Sequence, residues 1–382
     1  MTQSGHCQSK GSWGCNEAAR FHHASVTRRR HGRSSQVDNN NPFQGANLSR
    51  YNPPFKLGPA MRRRHFICLV GGAMSAWSFA ARAQEPDRIY RIALVLPVGR
   101  DEPASLAFLD ELRIQGFIES KNLVIVGGTP TSNEQAAAVV PLVLQAAPDA
   151  IMTGGDFIAR AFQKATQSIP IVVMTEDMVA GGFVASLARP GGNITGISLM
   201  SPDLDGKRQD ILIEAAPSAR RIAVLADSNV ATLEHLKFLD ESAQKHGKEL
   251  LVVRAANANE LVPALNSASA QGAAALNVLS SPMLHLNRRL IIERATELRL
   301  PSIYQWPETA DEGGLLGYGP SFIEIFRERA RMVAKVLRGA KPGDLPVEQP
   351  TKFELVINLT TAKSLGINIP PTLLARADRV IE

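Results

Sequence analysis

Past Ala83 the sequence has no cysteine, for Cys7, Cys15 and Cys68 all precede it. That absence excludes a disulfide framework, a thiolate zinc site and a thiol nucleophile from the remaining chain. Histidine is almost as scarce, with only His235, His246 and His285 left. The first two fall on one exposed helix and the third opens another, so solvated surface is expected and no metal site. Aromatics make up 5% of the chain, and past Ala83 only three tyrosines and Trp306 accompany the phenylalanines. No apolar run reaches the roughly 20 residues of a membrane-spanning helix. Nucleotide and hydrolase signatures are missing too. Pro97-Val98-Gly99-Arg100-Asp101 stands where G-x-G-x-x-G would follow a first strand, and no Walker A, G-x-S-x-G or H-E-x-x-H occurs. Carboxylates are plentiful, but no spacing assigns an acid and a base. No cofactor, metal or catalytic residue is predicted.

Charge is present but unevenly placed. Residues 1–83 hold 12 of the 42 basic and 2 of the 36 acidic side chains, a net of +10, which leaves the rest at −4. The basic balance therefore belongs to the leader, and nucleic acid is discarded as a partner of the main body.

The leader has two parts. Residues 1–60 are rich in Arg, Ser, Asn and Gln, lack hydrophobic periodicity, and read as a disordered or non-native extension. Residues 61–83 have the form of a signal peptide: Met61-Arg62-Arg63-Arg64, an apolar stretch from Cys68 to Ala81, and the small residues of Ala81-Arg82-Ala83 before Gln84. Arg63-Arg64 followed by Phe66-Ile67 resembles the twin-arginine export signature. Periplasmic export with cleavage near Ala83 is expected.

Beyond Arg88 short apolar runs alternate with amphipathic stretches. Ile92–Leu96 reads as a buried strand; Leu106, Leu109 and Leu112 then share a helical face that ends at Gly116. Such alternation predicts an α/β fold of right-handed parallel βαβ units. The order then repeats. Arg91-Ile92-Ala93-Leu94-Val95 returns as Arg221-Ile222-Ala223-Val224-Leu225, Ala150–Thr153 as Ala275–Leu279, and Ile169-Pro170-Ile171 as Leu300-Pro301-Ser302-Ile303. Two Rossmann-like lobes joined by crossovers follow. Residues 88–200 plus about 319–340 form lobe one, and 201–318 plus about 345–382 form lobe two.

In open α/β sheets ligands bind beyond the carboxyl ends of the strands. Thr153-Gly154-Gly155-Asp156 follows one strand and opens a helix, whose N-terminal amides can hold an anionic group. Asp177 follows the next strand, and Ser280-Ser281 occupies the matching place in lobe two. Tyr304 and Trp306 end a lobe-two strand, and Tyr318 lies in the glycine-rich return. The predicted ligand-binding set is Thr153, Gly154, Gly155, Asp156, Asp177, Ser280, Ser281, Tyr304 and Tyr318. The bland reading makes Asp156 and Asp177 helix caps and the tyrosines core.

Pro190-Gly191-Gly192-Asn193-Ile194-Thr195-Gly196 resembles a hallmark of the tryptophan/tyrosine-type ABC transporter substrate-binding proteins. So does the tail from Gly339-Ala340-Lys341-Pro342 through Glu348-Gln349-Pro350-Thr351-Lys352-Phe353-Glu354-Leu355-Val356-Ile357-Asn358 to Leu374-Ala375-Arg376-Ala377-Asp378. The resemblance implies a type I periplasmic-binding-protein fold and a small polar solute, amino acid-like ones included, held by hinge closure. It also implies an ABC permease with its ATPase as partners, so that the membrane is met only through the permease. Asp156-Phe157 departs from the family's frequent proline after the Thr-Gly turn, and Asp177-Met178-Val179 from its Asp-Pro-Val. Both departures fall in the expected cleft, so aromatic amino-acid specificity does not carry over. An exported enzyme on a Rossmann-like fold is the alternative, disfavoured by the missing signatures.

Overall fold

The computed structural model describes residues 88–199 and 201–382; the extension, the export signal and the cleavage point lie outside the described residues. Lobe one is built on β1 (Tyr90–Val95), β2 (Leu123–Gly128), β3 (Ala150–Gly154), β4 (Ile171–Thr175) and β5 (Ile194–Ser198). All its pairings are parallel, in the order β2-β1-β3-β4-β5. Strands buried on both faces need helices above and below, and the sequence supplies them between strands. These are α1 (Pro103–Ile114), α2 (Asn133–Gln145) and α3 (Asp156–Ala165).

Lobe two repeats the plan. The chain passes through α4 (Ser201–Ala215) into β6 (Arg221–Asp227), α5 (Leu233–Lys245), β7 (Glu249–Ala255), α6 (Ala258–Ala270) and β8 (Ala275–Val278). It continues through α7 (Pro282–Leu286), α8 (Arg288–Glu297), β9 (Ser302–Tyr304) and β10 (Leu316–Gly319). The order β7-β6-β8-β9-β10 matches that of lobe one, and β11 (Glu354–Asn358) and β12 (Arg379–Ile381) extend the far edge, with β10–β11 antiparallel. The repeated sequence strings therefore occupy equivalent first, third and fourth strands. Even their leading arginines do the same work. Arg91 Nη1 donates to Ala146 O at 2.5 Å, and Arg221 Nη1 donates to Gln271 O, each capping the end of the helix before the third strand.

Two further segments tie the lobes together. Helix α9 (Phe322–Leu337) follows β10 but packs its apolar face on α1 and β3, in the lobe-one core with Phe108, Leu112 and Met152. The chain then runs along the β5 edge. Thr195 Oγ1 donates to Leu345 O at 2.8 Å, and Ser198 N donates to Glu348 O at 3.0 Å. These contacts hold the chain against the lobe-one edge through Glu348, where residues from about 345 were expected in lobe two. The glycine of Asn193-Ile194-Thr195-Gly196 has a packing reason. At φ +149°, a side chain on Gly196 would strike the Val173 carbonyl of the adjacent strand.

Candidate interlobe ligand site

The carboxyl ends of parallel strands from both sheets face one cavity of about 1230 Å³. Lobe one contributes Leu96–Val98 after β1, Gly154–Phe157 after β3, and Met174–Glu176 where β4 ends. Lobe two contributes Asp227 and Asn229 after β6, Ser281–Met283 after β8, and Gln305 and Trp306 after β9. The loops after the third strands meet. Gly155 has φ +83°, and a Cβ there would lie 3.1 Å from Pro282 Cγ. Beside it Ser280 Oγ donates to Glu176 Oε1 at 2.7 Å across the lobes. A second bridge joins the lobes at Arg288, which is buried between Glu102 at 3.2 Å and Glu312 at 2.8 Å.

Gly154, Gly155, Asp156 and Ser281 of the predicted set line this cavity. Thr153 lies behind its wall, fully buried, with its carbonyl accepting from Arg329. Ser280 is the interlobe bridge just described. Three predicted residues are elsewhere. Asp177 is exposed and its Oδ1 accepts from the backbone N–H groups of Val179 and Ala180, both at 2.9 Å. The strand ends at Thr175, so the next residue, Glu176, takes the cleft position and Asp177 caps the turn. Tyr304 still belongs to β9. Its ring enters the lobe-two core, and burial raises its hydroxyl well above the usual phenol range despite the 3.1 Å contact with Ser302 Oγ. Tyr318 stacks on Phe353 with ring centroids 6.4 Å apart, on the β10–β11 side.

The aromatic wall comes from Trp306, which the sequence placed at a strand end, and from α9, whose phenylalanines the sequence reading left out. Trp306 stands 4.5 Å from Phe322, and Phe322 4.8 Å from Phe326, centroid to centroid. His285 joins them 4.7 Å from Phe322, contrary to the solvated position expected for it. Burial, with the neighbouring Arg288 cation, lowers its imidazole to about 3, so it is a neutral ring at pH 7. His235 is likewise not simply exposed, for its Nε2 lies 3.3 Å from the buried Asp205 carboxylate. No local signal in the sequence links Phe322 and Phe326 to strands of lobe one more than 100 residues away.

Electrostatically the cavity is acidic. Burial raises the Asp156 carboxyl, opposed by the Glu176 amide that donates to it and by Arg160 one turn on. Among the described residues its Oδ1 is buried without a hydrogen-bond partner. Across the cavity Asp227 accepts from Ser281 Oγ at 2.6 Å and from Asn229 N at 2.8 Å. Arg160 is already engaged: it donates to Gly181 O at 2.6 Å and to Gln163 Oε1 at 3.0 Å, and covers the Phe183 ring at 4.2 Å. Behind Gly154 lies Arg329, fully buried and lowered to about 9 by desolvation. Among the described residues no cluster of three or more histidines, cysteines or carboxylates could hold a metal ion.

A family model described as ABC transporter substrate binding protein matches residues 101–381. The chain belongs to that family. A tyrosine-binding protein of Clostridioides difficile is 26% identical over 277 residues, 70% of this chain and 77% of that protein. A conserved domain protein of Vibrio cholerae has a solved structure that covers 77% of this chain and 100% of its own, with 26% identity and a TM-score of 0.71. An ABC domain of Streptococcus pneumoniae in complex with L-Trp shares the fold at 20% identity and a TM-score of 0.69, over 77% of this chain and 100% of that one. The architecture is that of type I periplasmic binding proteins, and the substrate-binding family accounts for a cleft walled by both lobes.

Proposed function

We propose that this family member is the exported solute receptor of an ABC importer, that it holds a small polar solute between its lobes, and that it catalyses no reaction. The observation that carries the reading is the cavity itself. Its walls come from equivalent loops of two lobes that touch through Glu176–Ser280 and Gly155–Pro282. A solute seated there contacts both lobes at once, and contacts available only in the closed arrangement shift the population toward it. A permease that reads the relative position of the lobes would then distinguish loaded from empty receptor. The basic, apolar and small-residue order of Met61–Ala83 supports export to the periplasm.

The test begins with protein recovered from the periplasm and a thermal-shift screen against amines, amino acids, organic acids and nucleosides. A cognate solute should raise the melting temperature, shrink the radius of gyration in small-angle scattering, and be recovered chemically unchanged. Conversion of the solute to product would refute the receptor reading.

A further inference from the structure

The cavity has carboxylates on both walls, and neither cationic side chain on those walls is both buried and unpaired. Asp156 and Glu176 face it from lobe one and Asp227 from lobe two. Of the two cationic side chains on the wall, Arg160 is spent on Gly181 and Gln163, and Lys164 is exposed. His285 is neutral.

Helix N-termini are the other common seats for a carboxylate, and three of those at the cavity already carry a side-chain cap. Ser132 accepts from Gln135 N at the start of α2, Asn257 from Asn259 N at the start of α6, and Ser281 from Met283 N at the start of α7. At α3 the cap is Gly155, without a side chain, but Asp156 in its first turn sets its own carboxylate beside the helix end. A ligand carboxylate placed there would meet like charge.

An ammonium meets the opposite situation. Asp156 has a buried oxygen without a partner, and the row of Trp306, Phe322 and Phe326 offers π-faces to an apolar body. We propose that the cleft selects a monocationic amine with an aromatic or apolar body and no carboxylate, an aryl-alkyl amine in preference to the amino acid of the same side chain. This deepens the receptor reading and rests on it. Asp156 and Glu176 hold the ammonium, and the aromatic row holds the body.

Isothermal titration with tryptamine and tyramine, each beside L-tryptophan and L-tyrosine, tests it. The amine of each pair should bind about tenfold or more tightly than its amino acid. Asp156→Asn and Glu176→Gln should each weaken the amine by about ten- to a hundredfold, since either removes one side of a buried charge contact. Far-UV circular dichroism and melting of both variants establish that they fold. Amino acids that bind as tightly as the amines, or amine binding that survives both substitutions, would overturn the proposal. So would failure of both amines while a neutral or anionic solute from the thermal-shift screen binds; the receptor reading would then stand without it. If no solute of any class binds, both fall together.

Discussion

Asp156 concentrates the competing demands on this cleft in one side chain. Its carboxyl is raised by burial, so the folded protein takes up that proton at a higher pH than the unfolded chain. Stability attributable to this group therefore falls as pH rises through its folded pKa, and at pH 7 the empty receptor carries the cost of a partly desolvated carboxylate. Asp156→Asn should raise the melting temperature of the ligand-free protein at pH 7 by about 1–3 °C. That advantage should vanish in scans below the ordinary carboxyl range, where the wild-type group is protonated in both states. Arg329 makes the same case with the other sign of charge. Its guanidinium is fully buried, lies over the Phe326 ring at 5.1 Å, and among the described residues donates to the Thr153 carbonyl and Met152 Sδ while Nε and Nη1 lack hydrogen-bond partners. Arg329→Met keeps most of the volume and removes the charge, and should leave the protein as stable or more so in thermal melts. A clear loss of stability would mean that its grip on the Thr153 carbonyl outweighs desolvation.

At the scale of elements, the two loops after the third strands are where the lobes meet beside the cavity. Gly155 adopts φ +83°, which an L side chain tolerates poorly, and its open face abuts Pro282 at the start of α7. Gly155→Ala should therefore fold, at a cost of about 1–3 kcal/mol in strain, yet hold the lobes apart. Ligand affinity should drop by about tenfold, and the scattering radius of the loaded protein should grow. Adding Pro282→Ala removes the opposing ring and should restore part of the affinity; no recovery would locate the defect in the backbone of the turn. Helix α9 matters for another reason. It leaves lobe two, packs on α1 in lobe one, and brings Phe322 and Phe326 to the cavity, where Trp306 from the end of β9 joins the same packed cluster.

For the whole molecule, the net −4 of the chain past Ala83 contrasts with the +10 of the leader. A receptor released from its leader would thus be mildly acidic. N-terminal sequencing of the periplasmic form expressed from Met61 should find Gln84 or a close neighbour. Retention of residues upstream of Ala83 in the exported protein would count against the signal-peptide reading. Among the described residues no helix is long and apolar enough to cross a membrane.

Continuous apolar runs separated by amphipathic stretches were enough, by themselves, to determine parallel sheets, because strands buried on both faces leave no polar alternation. The echo of Arg91–Val95 in Arg221–Leu225 determined the duplication, since equivalent strands repeat equivalent burial. The glycine turn at 154–155, Asp156 and Ser281 were legible as cavity-lining residues because each lies at or within three residues of a strand's carboxyl end. Asp177, Tyr304 and Tyr318 were misplaced for one shared reason. Near a strand end, the residue that turns into a cleft depends on where pairing stops, and one step moves a side chain to another face. Only the tertiary structure could exchange Asp177 for Glu176, carry α9 across to lobe one, and set Ser280 against Glu176 at a separation of 104 residues. Contacts of that range are decided by packing through space, which no local pattern of residues encodes.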